Sequence, residues 1–494
     1  MQRNLSALAD GVFDLLIIGG GIFGAGIARD AALRGLRVAL VEQHDFASGT
    51  SSRSSKLIHG GFRYLEQHAF ALVAESTRER RILQDIAPHR VRPLPFLLPV
   101  YRGDPRPLWL MRLGMTLYDV LALYRNPAAH RKLSPARTLA TEPGLDPNNL
   151  RGAIRFYDCQ EDDARFCIDN LLHAAALGAV CANYCEVTGF TVQNGKIISA
   201  TVTDHLGAGT FTLRARAFIN AAGPWVERVA GLLPAAGPGD LPRLGPTKGV
   251  HILLPRVTQA HGIFFQGRQD GRMLFILPWN DCTMVGTTDT DFKGDPADVR
   301  ADASDVEYLL AEVRSLFPNC GLTASDVITT FAGIRPLLRS DTSAPSARSR
   351  EHSILRRGEN LVSIAGGKYT TYRLIAEQVV DAAYGILGSR PAACRTAKTP
   401  LPDFRPATAG ERIAENPEVF ASDITQAMGG EMASSVEDVM RRRTGLALSR
   451  SGGPAVAEHV ARMMTTAAPQ DAGRIDASLR AYCEEWDRNR PGRS

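Results

Sequence analysis

Gly19, Gly21 and Gly24, with a carboxylate at Glu42, are the residues whose spacing first points to chemistry. The apolar run 15–18 precedes the glycines and a helix-forming segment follows. A second apolar run, 38–41, ends on Glu42. This is the strand–glycine loop–helix–strand pattern that binds a dinucleotide. Gly19 permits the tight turn off the strand. Gly21 lets the backbone approach a pyrophosphate, and Gly24 lets the helix pack on the strand. The helix N-terminus offers unpaired N–H groups and its positive dipole end to the phosphates. Glu42 can accept from ribose hydroxyls and would repel a 2′-phosphate, so NADP is disfavoured. The motif by itself leaves FAD and NAD both open.

The elements that must position this unit belong to a chain of 494 residues, too long for one ordinary core, so two or three domains are expected. A hydrophobic content of 44% and a charged content of 22% are those of a globular protein. The net charge of +5 suits an anionic substrate or an anionic surface, or simply a mildly basic protein. It is too weak to argue for nucleic acid. Eight scattered cysteines lack the paired spacing of a zinc site and read as free thiols in a reducing cytosol, so no metal is expected. The apolar run 15–28 is flanked by Asp10 and Asp14 and reads as a strand, not a signal core. No stretch reaches the ~18–20 apolar residues of a spanning helix.

Along the chain, residues 1–13 read as a short arm. The Ser/Thr-rich segment 47–56 follows the dinucleotide unit, then a helix over 69–87, a Pro-rich irregular stretch over 88–107 and an amphipathic helix over 108–124. Residues 158–178 are helical in pattern. β-like alternation runs from 180 to 218, with a hairpin signal at Asn194-Gly195. Residues 217–220 form a strand running into Gly223. Residues 244–292 alternate as a sheet, 361–364 is a buried strand, and 372–387 is a helix. Beyond about 395 the chain is Ala- and Arg-rich and helical, with basic clusters at Arg441–Arg443 and Arg488–Arg493. The β-rich region lies between two nucleotide-facing segments. The dinucleotide domain is therefore expected to be discontinuous, which suits a flavoprotein better than a nicotinamide dehydrogenase.

Several segments together resemble one family: Gly19-Gly-Gly-Ile-Phe-Gly-Ala-Gly26, Thr50-Ser-Ser-Arg-Ser-Ser-Lys-Leu-Ile-His-Gly-Gly-Phe-Arg-Tyr-Leu-Glu66, Tyr157-Asp-Cys-Gln-Glu-Asp-Asp-Ala-Arg165, Asn220-Ala-Ala-Gly-Pro-Trp225, Lys248-Gly-Val-His251, Gly286-Thr-Thr-Asp289, Gly333-Ile-Arg-Pro336 and Gly366-Gly-Lys-Tyr-Thr-Thr-Tyr-Arg373. The chain resembles the FAD-dependent, aerobic-type glycerol-3-phosphate dehydrogenases on the D-amino-acid-oxidase-like fold, from about residue 13 to 390. Phe23 is bulkier than that family's glycine loop leads one to expect. The resemblance implies an α/β (α+β) fold. A discontinuous Rossmann-like FAD-binding domain would span 1–85, 151–225 and 335–390. An inserted antiparallel β-sheet substrate domain would span 86–150 and 226–334, and a C-terminal helical cap 395–494.

It also implies oxidation of sn-glycerol 3-phosphate to dihydroxyacetone phosphate, with FAD as cofactor. Gly19, Gly20, Gly21, Gly24 and Glu42 would hold the ADP half. Thr50, Ser51 and Ser52 would serve the pyrophosphate and ribityl chain. Ser55, Lys56, Leu57 and His59 would line the flavin ring, and Val187 would meet adenine. Gly223 and Gly367 would let backbone approach the cofactor. Lys368 and Thr370 would face the ring edge where negative charge grows on reduction. The phosphate clamp would be Arg63, Arg335 and Arg350, with Tyr64 and Lys368 beside them, because the guanidinium fork pairs bidentately with phosphate oxygens. Arg348 competes with Arg350 for its place. His251 is the expected base, with His59 as competitor, since an imidazole accepts a proton near neutrality.

The family passes its electrons to quinone, and oxygen is the alternative acceptor in a related oxidase. Apolar 108–124 and the Arg-rich tail would together contact an anionic membrane surface. The competing reading packs 108–124 in the core or in a subunit interface. A homodimer, a cytoplasmic location and peripheral attachment to the membrane are expected. An amino-acid or amine oxidase and a non-catalytic flavin-binding protein are the competing functions.

Overall fold

The computed structural model describes residues 1–65, 68–207, 209–233, 243–339 and 351–491. Two sheets organise it. In the first, the strand order is His352–Arg357, Leu361–Gly366, Gly209–Asn220, Val12–Ile18, Val38–Val41 and Val180–Ala182. The inner pairs are parallel, and Leu15, Leu16 and Ile17 are completely buried at the centre. Burial on both faces explains why this strand reads as a continuous apolar run rather than an alternating one. The helices Ile22–Leu33 and Tyr372–Leu387 pack together in the same core. The hairpin Cys185–Gln193/Lys196–Asp204 extends the sheet; its turn has φ 51° at Asn194 and 78° at Gly195, as a primed turn requires.

The second sheet is mostly antiparallel. It contains Arg92–Tyr101, Leu150–Gln160, Thr247–Pro255, Gly262–Gln266, Met273–Trp279, Cys282–Gly286 and Thr329–Arg335. Three features differ from the sequence reading. The stretch read as irregular holds the ten-residue strand Arg92–Tyr101, paired along its length with Leu150–Gln160. Its prolines lie at 93, 95 and 99, an even spacing that puts every missing N–H on one edge of the strand, so the ladder on the other edge is intact. The boundary expected at 151 falls inside the partner strand Leu150–Gln160, which belongs to this second sheet. The expected N-terminal arm carries a helix, Leu5–Asp10, whose N-cap Asn4 accepts from the Ala7 N–H at 2.9 Å.

Beyond residue 395 the helices Ala421–Glu431, Pro454–Ala467 and Ala472–Arg488 pack around their own apolar cluster, joined by a two-stranded ribbon at Arg412–Glu415 and Glu418–Phe420. Here the basic cluster expected on a membrane-facing tail turns inward. Arg442 and Arg443 are buried and donate to the Asp45 carboxylate at 2.6 and 2.8 Å. Arg165 and Glu431 form a second buried pair at 2.6 and 2.7 Å. A guanidinium leaves water only for a counter-charge, and Asp45 supplies it from the end of the dinucleotide unit. Burial pushes the Asp45 carboxyl up; Arg443 and Arg442 outweigh it and hold it at about 2. Asp45→Ala would leave both guanidiniums buried and unpaired there. It is expected to destabilise the protein by about 3–5 kcal/mol in a urea titration. An effect below about 1 kcal/mol would mean that the network contributes little.

Candidate active site

Parallel strands end together, so the first sheet delivers its glycine loops to one edge. Ile18 lies beside Asn220, and Asn220 beside Ser363. Beyond these ends, Gly19, Gly21, Gly223 and Gly367 line one cavity of about 390 Å³. Gly19 has φ +111°, and a Cβ there would lie 2.6 Å from the Ala221 carbonyl oxygen. A Cβ on Gly24 would lie 1.9 Å from the Gly19 carbonyl oxygen, so helix and strand approach this closely only with glycine. Phe23 has a local reason: a Cβ on Gly367 would lie 2.7 Å from its ring, so the phenyl fills space that glycine leaves.

Glu42 lines the cavity and braces the loop, accepting from the Gly20 N–H at 2.7 Å and the His44 N–H at 2.9 Å. Burial raises its pKa, and the two N–H donors oppose the rise. Ser51 Oγ accepts from the Ile22 N–H at 2.9 Å, capping the helix, and Thr50 donates to the Ile334 carbonyl at 2.6 Å, tying the loop to the second sheet. Both line the cavity, as do Leu57 and Val187. Ser52 is buried behind them, its hydroxyl without a partner among the described residues. Lys56, expected on the ring wall, turns into the core. It is 2% exposed, pairs with buried Asp163 and donates to the Ser52 carbonyl at 3.0 Å. A trough of glycines ending at a helix N-terminus, with a carboxylate on the next strand, fits the ADP half of a dinucleotide.

The second sheet supplies the opposite wall. Thr247 pairs with Arg335 and His251 with Phe331, so His251 and Arg335 share one face of adjacent strands, with Gly249 between them. A Cβ on Gly249 would lie 2.4 Å from an Arg335 Nη atom; glycine makes room for the guanidinium to fold back toward His251. Arg335 donates to Thr287 Oγ1 at 2.8 Å and to Asp289 Oδ1 at 3.1 Å. The His251 ring stacks on Phe331, 4.8 Å between centroids and 9° from parallel, and its Nε2 lies 2.9 Å from Ser55 Oγ. Burial first, then the Arg335 and Lys56 charges, push the imidazole down to about 3, so it is neutral at physiological pH.

Lys368 completes the rim, with Nζ 3.7 Å from the Tyr64 ring centroid and 3.4 Å from Ser76 Oγ. Thr370 Oγ1 accepts from the His59 N–H at 3.3 Å, and Tyr64, His59, Lys368 and Thr370 all line the cavity. Arg63 sits in the turn Phe62–Leu65, and its side chain lies outside the described residues, as do Arg348 and Arg350. Ser55, expected on the ring wall, lines the cavity and also holds His251; the sequence reading missed Thr287 and Asp289, which hold Arg335. The motif Gly286-Thr-Thr-Asp289 was the available signal, since its glycine pairs opposite His251. Trp225, also lining the cavity, was signalled by the Gly-Pro-Trp run after a strand. The cavity thus joins a dinucleotide cradle, a neutral imidazole and a guanidinium, a set suited to redox chemistry on an anion.

Comparison with known proteins agrees. A family model described as FAD dependent oxidoreductase matches residues 14–381. A glycerol-3-phosphate dehydrogenase of Synechocystis sp. is 34% identical over 99% of both chains. Glycerol-3-phosphate dehydrogenase 2 of Mycobacterium tuberculosis is 40% identical over 79% of this chain and 66% of that one. The solved structure of glycerol-3-phosphate dehydrogenase from Bacillus halodurans, complexed with FAD, superposes with a TM-score of 0.75 at 28% identity, covering 98% of this chain and 95% of that one. Glycine oxidase from Geobacillus kaustophilus, at 20% identity and a TM-score of 0.59, shares the fold. The chain belongs to the FAD-dependent oxidoreductases and, among them, to the glycerol-3-phosphate dehydrogenase family.

Proposed function

We propose that this protein oxidises sn-glycerol 3-phosphate to dihydroxyacetone phosphate. The observation that carries this reading is the pairing of His251 and Arg335 on one sheet face, inside the cavity that the glycine loops line. Bound FAD would supply the acceptor for a hydride from substrate C2. Gly19, Gly20, Gly21, Gly24, Glu42, Thr50, Ser51 and Val187 would hold its nucleotide half, with Ser52 buried behind them. Leu57, His59, Gly223, Gly367, Lys368 and Thr370 surround the ring. Arg335 grips the phosphate with Lys368, Tyr64, Arg63 and Arg350. His251 takes the C2 hydroxyl proton at Nε2 once the substrate hydroxyl replaces Ser55 Oγ there, and His59 is the second candidate for that step. A bound dianion offsets the Arg335 charge that depresses the imidazole, so substrate binding itself makes His251 more basic.

The domain organisation follows the same reading: FAD-binding segments around the first sheet, an inserted substrate domain around the second, and a helical cap. Electrons leave for quinone at the cytoplasmic face of the membrane. The helix Leu108–Leu121 supports this, because Trp109 and Leu113 are 68% and 60% exposed beside exposed Arg112. Leu123 and Tyr124 extend the patch at 69% and 68%. An apolar face of this size with flanking cations suits an anionic bilayer surface. Among the described residues no helix is long and apolar enough to cross a membrane. Trp109→Ser with Leu113→Ser is expected to weaken co-sedimentation with anionic liposomes by about tenfold or more. Unchanged binding, with a dimer that dissociates instead, would assign the face to a second copy of the chain.

The substrate reading is tested by turnover with glycerol 3-phosphate, amino acids and amines, using a quinone or oxygen as acceptor. Turnover of glycerol 3-phosphate with quinone supports it. An oxygen preference would make the protein an oxidase, and turnover of an amino acid alone would discard the phosphate clamp.

A further inference from the structure

A second cavity, of about 350 Å³, lies beside the first and shares a wall with it: Gly49, Thr50, Arg53 and Trp225 border both. Its remaining sides come from Arg300, on the second-sheet side, and from the helical cap through Glu437, Arg441, Arg442 and Arg488. The charges facing it do not cancel. Asp45 is held by Arg442 and Arg443. Glu437 is held by Arg442 and Arg441, and Glu485 by Arg441 at 3.1 Å. Arg53, Arg300 and Arg488 have no carboxylate in ion-pair reach among the described residues, although the Glu437 and Glu485 charges act on Arg53 from farther off.

Solvated arginines are ordinary on a surface, and Arg300 and Arg488 are exposed. Arg53 is not ordinary. It is half-buried, its Nη1 reaches only the Ala332 carbonyl at 3.4 Å, and its buried Nε has no partner. Burial first, then the Arg441 charge, lowers its pKa, and the Glu437 and Glu485 charges oppose the drop. Sequestering a guanidinium without a hydrogen-bonded carboxylate costs free energy that an incoming anion would offset.

We propose that this cavity is an anion site that takes a phosphoryl dianion, with Arg53 at its inner wall and Arg300 and Arg488 as its exposed arms. Three guanidiniums can together pair with the oxygens of one phosphoryl group. They come from the loop after the dinucleotide unit, the segment that precedes the helix Ala303–Leu316, and the terminal helix. The ligand therefore ties the cap to both sheets and stabilises that docking by mass action. Free phosphate and a phosphate monoester carry the same group. The inference does not depend on the substrate reading, because its probe is inorganic phosphate.

The test is calorimetric titration of inorganic phosphate, at ionic strength matched with KCl, into the FAD-loaded full chain. Arg335→Ala removes the clamp in the first cavity. On that background one phosphate-binding event is expected to remain. Adding Arg300→Ala with Arg488→Ala is expected to weaken that event by about tenfold or more. Both added changes are at exposed positions, and unchanged FAD content verifies the fold. Should Arg335→Ala not fold, the same pair is compared in the otherwise unchanged chain by the rise in melting temperature that phosphate produces; the pair should shrink it. Glycerol 2-phosphate in place of phosphate separates the sources: loss of its binding in the same pair means esters enter, and binding of phosphate alone means the free ion is the ligand. No phosphate binding after Arg335→Ala, or binding that the Arg300/Arg488 pair leaves unchanged, overturns the proposal.

Discussion

His251→Ala is expected to slow flavin reduction by about 10²- to 10⁴-fold, the range that a positioned general base contributes, while FAD stays bound. The ring lies in the wall of the second sheet, held by Ser55 at 2.9 Å and stacked on Phe331, and none of the glycine loops rests on it. FAD content should therefore change little, and the loss should appear in the reductive step measured by rapid mixing. The pH dependence has a definite sign. With its pKa lowered to about 3, His251 stays neutral down to that value, so its protonation does not slow the reaction between pH 8 and 5. In the unfolded chain it would titrate near ~6.5. The unfolded state therefore binds the extra proton, and stability tied to this group falls as pH drops from about 6.5 toward 3. His251→Ala should abolish that component of the acid slope. A reduction rate near that of the unchanged enzyme would transfer the role of base to His59.

Arg335→Ala is expected to lower kcat/KM for glycerol 3-phosphate by roughly 10²- to 10⁴-fold, since it removes two charge-assisted hydrogen bonds of about 1.5–3 kcal/mol each to a dianion. Most of the loss should appear in KM if the guanidinium holds the phosphate equally in ground and transition states. Arg335→Lys should recover little, because an ammonium cannot reproduce the planar fork that Thr287 and Asp289 orient. Removing the positive charge also raises the His251 pKa in the substrate-free enzyme, which a shifted pH profile would report. A kcat/KM within threefold of the unchanged enzyme would move the clamp to Lys368 and the arginines outside the described residues.

The parts of this site that the sequence displays are those built from neighbouring residues. The unit from Gly19 to Glu42 is legible because each glycine answers a local steric demand, visible as the 1.9 Å clash that a Cβ on Gly24 would make. Convergence of Gly19, Gly223 and Gly367 follows once three apolar runs are taken as parallel strands. Lys56, Arg442 and Arg443 were hidden because charge alone does not say which way a side chain faces. Their burial depends on Asp163 and Asp45, each distant in sequence from the cation it holds. The strand Arg92–Tyr101 was hidden by its prolines, whose alternate spacing is the feature that lets it pair. The bracing of Arg335 by Thr287 and Asp289, and of His251 by Ser55, is set by strand register between distant segments, which no local pattern records.

One anaerobic titration tests the central claim most directly. The purified protein should be yellow, with the absorption bands of bound flavin. Adding sn-glycerol 3-phosphate without oxygen should bleach those bands promptly, with one dihydroxyacetone phosphate formed per flavin, and a quinone should restore them. A yellow protein whose bands persist at saturating sn-glycerol 3-phosphate would contradict the assigned substrate while leaving the cofactor and the fold in place.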